Sequence, residues 1–177
     1  MRPAPSTIRA FRHIGCAILA GVLACGLLGG CASPRASSAP RNVGLEITEL
    51  NLFSAPMAVN FDGVPGPDGL SLRLYAGNPR ELKRLPITAG QLEILVFDGL
   101  VRGEALVSTQ PWQSWSYTPQ QLARAAQKTS VGVSYVLTPL WKGSPPASKQ
   151  VTCVARFVRP SGKPLYSSPV IIFVTAN

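Results

Sequence analysis

From residue 43 onward the apolar positions recur mainly with period two. Leu70-Ser71-Leu72-Arg73-Leu74 alternates strictly, which predicts a half-buried β-strand. Leu92-Glu93-Ile94-Leu95-Val96 keeps its apolar set on even positions, with Leu95 as an extra apolar residue. Val131 to Leu137 and Val151 to Phe157 each turn their odd positions to one side. The run Leu45 to Leu52 changes phase between Ile47 and Leu50, as a β-bulge or an edge-strand kink produces. Val170 to Thr175 is continuously apolar and predicts a strand covered on both faces.

Turn chemistry separates these runs. Asp62 to Gly69, DGVPGPDG, must be a loop because three glycines and two prolines interrupt it. Asp98-Gly99 ends a strand, Gly143 to Ala147 is a second loop, and Pro160 to Lys163 joins two strands at hairpin distance. One helix is predicted over 119–128. Thr118 stands at its N-cap, Pro119 at its first position and Gln121 three residues after the cap, which is a capping-box pattern. Leu122, Ala125 and Ala126 give that helix a narrow apolar stripe, and Lys128 falls in its last turn, where the dipole favours a cation. The sum is an all-β domain: an antiparallel β-sandwich of about eight or nine short strands with one short α-helix.

The segment before residue 43 has a different character. MRPAPSTIRAFRH is positive with no acidic residue, and Ile14 to Gly30 then runs 17 residues without a charge. Five of those seventeen are glycine, which disfavours a retained membrane helix, and the run closes on small residues, as a secretory signal does. The exit, Leu28-Gly29-Gly30-Cys31, resembles the bacterial lipobox. The resemblance implies cleavage before Cys31 and acylation of that cysteine, hence residues 1–30 as a removed signal and Cys31 as a lipid anchor. Several acyl chains on one residue anchor stably where one is marginal. Ala32 rather than Asp follows the cysteine, which by the same resemblance implies sorting to the outer membrane, periplasmic face. Residues 32–42, ASPRASSAPRN, read as a flexible tether completing the segment 31–42, and the domain then spans 43–177.

This division changes the charge picture. The chain carries 17 Lys+Arg against 8 Asp+Glu, but from Val43 onward the excess is only four. So mild an excess predicts a solvated surface and no nucleic-acid footprint. The sole histidine, His13, lies in the signal, so the domain lacks the base of a Ser-His or Cys-His pair and any histidine metal ligand. Cys153 is the one cysteine beyond Cys31, which leaves no partner for an intrachain disulfide. Its strand phase places it with Val151, Ala155 and Phe157, so it reads as a core residue. Asp62, Asp68 and Asp98 sit in or beside loops, where calcium ligands occur, but Asp-Gly is also plain turn sequence. The expectation is therefore a non-catalytic domain without cofactor.

Two groups of residues remain as candidate ligand or partner contacts. Trp112, Trp115 and Tyr117 precede the helix in PWQSWSYT; strand alternation pairs Trp115 with Tyr117 and turns Trp112 the other way. Together with Trp141 they suit a sugar or peptide platform, or an aromatic plug between helix and sheet. Arg80, Lys83 and Arg84 form the densest basic cluster, interrupted by Glu81, suited to anionic headgroups or to a solvated loop. GVPGPDGLSLRLY, residues 63–75, is similar to the early loop-to-strand region of the type VI secretion system lipoprotein, in which a Gly/Pro-rich loop enters an alternating strand ending in tyrosine. That resemblance implies a membrane-anchored β-sandwich serving a secretion assembly. This chain has no clear counterpart of that family's long partner-binding loop, so no partner residues carry over. The expected function is a binding or scaffold component of an envelope assembly with a protein partner. The competing expectation is a periplasmic carbohydrate- or small-ligand-binding module using the three tryptophans.

Overall fold

The computed structural model describes residues 46–160 and 162–174; the expected signal (1–30), Cys31 and the expected tether lie outside the described residues. Two antiparallel sheets face each other. The first holds β1 (Glu49–Ser54), β2 (Leu72–Gly77), β6 (Gly132–Leu137) and β5 (Ala126–Thr129), in the order β1-β2-β6-β5. The second holds β4 (Gln113–Tyr117), β3 (Gln91–Asp98) and β7 (Gln150–Val158), in the order β4-β3-β7. The short strands β8 (Leu165–Tyr166) and β9 (Val170–Phe173) follow one another along the free edge of β7. The all-β sandwich read from the alternation is the observed architecture.

Alternation explains the core. Leu50, Leu52, Leu72, Leu74, Tyr135 and Leu137 project from the first sheet onto Leu92, Ile94, Val96, Cys153, Ala155 and Phe157 of the second. Each fully buried leucine or isoleucine contributes about 1.5–3 kcal/mol relative to exposure. The second sheet also buries part of its outer face. Leu95, Phe97 and Val154 pack there under Val101 and Leu106, carried by the β3–β4 connection and its short helix α1 (Ala105–Ser108). This cover is why Leu95 is apolar and why β7 shows no clean alternation. Beside it Glu93 and Arg156, directly opposite in register, form an ion pair.

The sandwich is closed differently at its two sides. On one, residues 56–58 leave the first sheet and pair with β9: Phe173 donates to the Pro56 carbonyl at 3.0 Å, and Ala58 donates to the Phe173 carbonyl at 2.8 Å. On the other, α2 (Pro119–Ala125) crosses from β4 to β5. Its capping box is present: Thr118 Oγ1 accepts the Gln121 N–H at 3.3 Å, and Gln121 Oε1 accepts the Thr118 N–H at 2.8 Å. Leu122 anchors it, fully buried.

Strand direction divides the loops between two ends. Glu46, the β2–β3 connection and the β7–β8 hairpin lie together at the end where the described chain begins. The β1–β2 loop and the β6–β7 connection lie at the other, joined by the Gly69–Leu140 bridge. The eight residues of β3 span about 25 Å between the two ends.

Several local expectations need correction. The helix stops at Ala125, not 128, because Ala126 turns extended and Gln127 and Lys128 pair with Ser134 and Val133 of β6. Arg124, not Lys128, is the cation of its last turn. Ile47 is buried before β1 starts at Glu49, so the change of phase is a strand entry rather than a bulge. Val131 is a turn residue of the β5–β6 hairpin, half exposed at 49 %. In β9 only Ile172 is buried, while Ile171 and Phe173 are exposed, so that strand is covered on one face.

Candidate functional site

The β1–β2 loop is braced by its own short polar side chains. Asn60 Oδ1 accepts the Gly63 N–H at 2.7 Å, and Asp62 Oδ1 accepts the Val64 N–H at 2.8 Å. The Asp68 carboxylate accepts the N–H groups of Phe61 and Asp62 at 2.9 and 3.0 Å. These Asx turns, with Gly63 and Gly66 at positive φ, hold one loop shape without a buried core of its own.

That shape is fastened to the β6–β7 connection. Trp141 donates from its backbone to the Asp68 carbonyl at 2.7 Å and from its indole to the Pro67 carbonyl at 3.0 Å. Gly69 sits so close that a Cβ there would lie 2.7 Å from the Pro139 carbonyl oxygen, so the approach requires glycine. Between the two segments lies a cleft of ≈ 570 Å³ bordered by Val64, Pro65, Pro67, Leu140, Trp141 and Pro145. Two of its apolar lining residues stand in water, Val64 at 63 % and Leu140 at 50 % exposure; Asp62 and Asp68 line it too, and Phe61, 43 % exposed, lies on the same loop.

All three tryptophans meet at this end. Trp112 packs edge-on against Trp141 at 5.4 Å between ring centroids, and Trp115 lies 6.4 Å from Trp141. The expected divergence of Trp112 from Trp115 fails because Trp112 precedes β4 and is not bound by its alternation. Trp115 donates from its indole to the Leu140 carbonyl at 3.1 Å, and Lys142 Nζ sits 5.4 Å above its ring. Gln113 exchanges two bonds with the Lys142 backbone, at 3.2 and 2.9 Å. These contacts cover the free edge of β4 and lock the β6–β7 connection over it. Tyr117, by contrast, lies at the opposite end of β4, packed against the core. Of the three only Trp141 lines the cleft; Trp112 and Trp115 pack against it.

The basic cluster divides. Arg84 is half-buried and pairs with Glu49, while its N–H donates to the Val131 carbonyl at 2.7 Å, so it closes the sheet rather than facing a ligand. Arg80 and Lys83 are exposed at the far end from the cleft. The loop aspartates do not converge either. Asp98 accepts from Ala147 and Ser148 at 3.0 and 2.9 Å; burial acts to raise its carboxyl, but these bonds outweigh it and hold it below the usual carboxylate value. Among the described residues, no group of three His, Cys, Asp or Glu side chains is placed to hold a metal ion. Cys153 is fully buried, and burial pushes its thiol well above the reactive range.

Phe61, Val64 and Leu140 were not singled out by the sequence. The glycine and proline count marked a loop, but only the strand pairing brings it against residues 139–145. Comparison of the chain with protein-family models, with curated proteins and with solved structures yields no match.

Proposed function

We propose that this protein is a lipid-anchored, non-catalytic component of the bacterial envelope, which binds a protein partner of a membrane-associated assembly through the cleft at the β1–β2 loop. One observation carries the reading. The described chain enters the sandwich at one end, and a braced apolar loop face lies at the other. With acyl chains on Cys31, such a domain presents Phe61, Val64 and Leu140 away from the anchoring leaflet. Exposed apolar side chains on a pre-shaped surface favour protein association, because little ordering entropy opposes binding.

A secretion assembly is one setting, supported by the likeness of residues 63–75 to the type VI lipoprotein. The carbohydrate reading is less well supported: the indole N–H groups of Trp115 and Trp141 already donate to backbone carbonyls. A photo-crosslinking residue at Val64 in intact cells tests the reading. A single protein adduct of defined mass is expected from Val64, and none from the exposed Ser116 position near the far end of β4. Equal adducts from both positions, or none from Val64, count against it.

A further inference from the structure

The end of the sandwich where the described chain begins carries a second surface. The Glu46 carbonyl accepts from Asn78 Nδ2 at 3.1 Å, and its carboxylate pairs with Arg159. Arg159 in turn donates to the Lys163 carbonyl at 3.0 Å. These bonds gather the β2–β3 turn and the β7–β8 hairpin around the chain entry. Glu46 and Glu49 are neutralised by Arg159 and Arg84, which leaves Arg80, Lys83 and Lys163 against Glu81. Among the described residues those three cations form no ion pair. In the same loop Leu82, between Glu81 and Lys83, is 100 % exposed.

We propose that this end is a lipid-facing surface: Arg80, Lys83 and Lys163 lie against anionic phospholipid headgroups of the anchoring leaflet, and Leu82 enters the interface beside Lys83. The inference rests on acylation of Cys31 in the reading above. The occupant follows from the course of the chain. Fourteen residues, 32–45, separate Cys31 from Glu46. A random coil of fourteen residues has an average span of about 20 Å, so an anchor that many residues away keeps the Glu46 end nearest the membrane. The surplus of cations selects an anionic surface over a neutral one, and an exposed leucine beside Lys83 matches a layer that is charged outside and apolar beneath. Screening over about 8 Å at physiological salt confines the attraction to this end, so the opposite cleft stays directed away.

The test uses the full acylated lipoprotein reconstituted in vesicles, with a single environment-sensitive fluorophore at Pro79→Cys. Pro79 is exposed and adjoins the cluster without belonging to it. Vesicles of neutral phosphatidylcholine are compared with vesicles containing phosphatidylglycerol, and a label at Val64→Cys reports the opposite end. Flotation with the vesicles reads the anchor, and the emission reads the orientation. The proposal expects a blue-shifted Pro79 label on anionic vesicles only, an unshifted Val64 label, and a population of the contact reduced about fivefold for each of Arg80→Gln and Lys83→Gln. Protein that floats with a Pro79 label still reporting water, or with equal shifts on both vesicle types, overturns this surface and leaves the anchor standing. Protein that does not float overturns the anchor and this surface together.

Discussion

Replacing Tyr135 by phenylalanine isolates one buried hydrogen bond. The Tyr135 ring lies between the sheets, 2 % exposed, and its hydroxyl accepts the Ile87 N–H at 2.6 Å. Ile87 is itself buried, on the segment that closes the sandwich before β3. The variant keeps the ring and strands the Ile87 donor, which costs about 1–3 kcal/mol. For a domain of this size the loss lowers the midpoint of thermal unfolding by roughly 3–15 °C. Urea titration and thermal melting, followed by far-ultraviolet circular dichroism, read it directly. The same side chain gives a pH signature. Burial pushes the Tyr135 hydroxyl above its ordinary 10.0, although the Ile87 bond opposes the shift, and Tyr117 is pushed up to about 12 by burial and by its proximity to Cys153. Because the folded values lie above the unfolded ones, the unfolded chain ionises first. Their contribution is complete below pH 10 and declines as pH rises through the folded values. The gap between wild type and Tyr135→Phe should therefore narrow above pH 10. A variant as stable as wild type at pH 7, with an unchanged alkaline decline, refutes the buried bond.

Two further substitution and labelling experiments address the packing. Gly132 has φ +113°, and a Cβ there would lie 2.5 Å from both the N and O atoms of Arg84, so Gly132→Ala adds a backbone clash to strain of about 1–3 kcal/mol. Gly63→Ala, with φ +78° and open space around it, should cost strain alone; a urea midpoint for Gly132→Ala at or above that of Gly63→Ala contradicts the close approach. Cys153 should react with a thiol reagent only as fast as the domain unfolds, with labelling accelerating in urea; immediate labelling in native buffer places it outside the core.

Much of the sandwich was legible because a half-buried strand must alternate. Leu72 and Leu74, Leu92, Ile94 and Val96, and the odd positions Val151, Cys153, Ala155 and Phe157 all project as their spacing requires. The capping box was equally legible, since its two bonds involve only residues 118 and 121. What escaped depends on distant partners. Ala126 to Lys128 are good helix formers, yet pairing with β6 takes them into a strand. The 99–112 connection has no regular period, so its role as a lid over Leu95 and Phe97 is visible only in space. Arg84 looked like a surface cation because Glu49, 35 positions earlier, arrives beside it only through the β1–β2 pairing. The candidate site escaped for the same reason: residues 61–68 and 139–145 belong to separate loops until Gly69 and Leu140 bridge them.

The proposed membrane-facing and partner-facing ends both depend on the proposed acylation of Cys31. Mass spectrometry of the N-terminal peptide, taken from protein extracted from envelope membranes, measures this directly. The expected result is a peptide that begins at Cys31 and carries acyl chains on that residue. A peptide that begins elsewhere, or an unmodified Cys31, contradicts it.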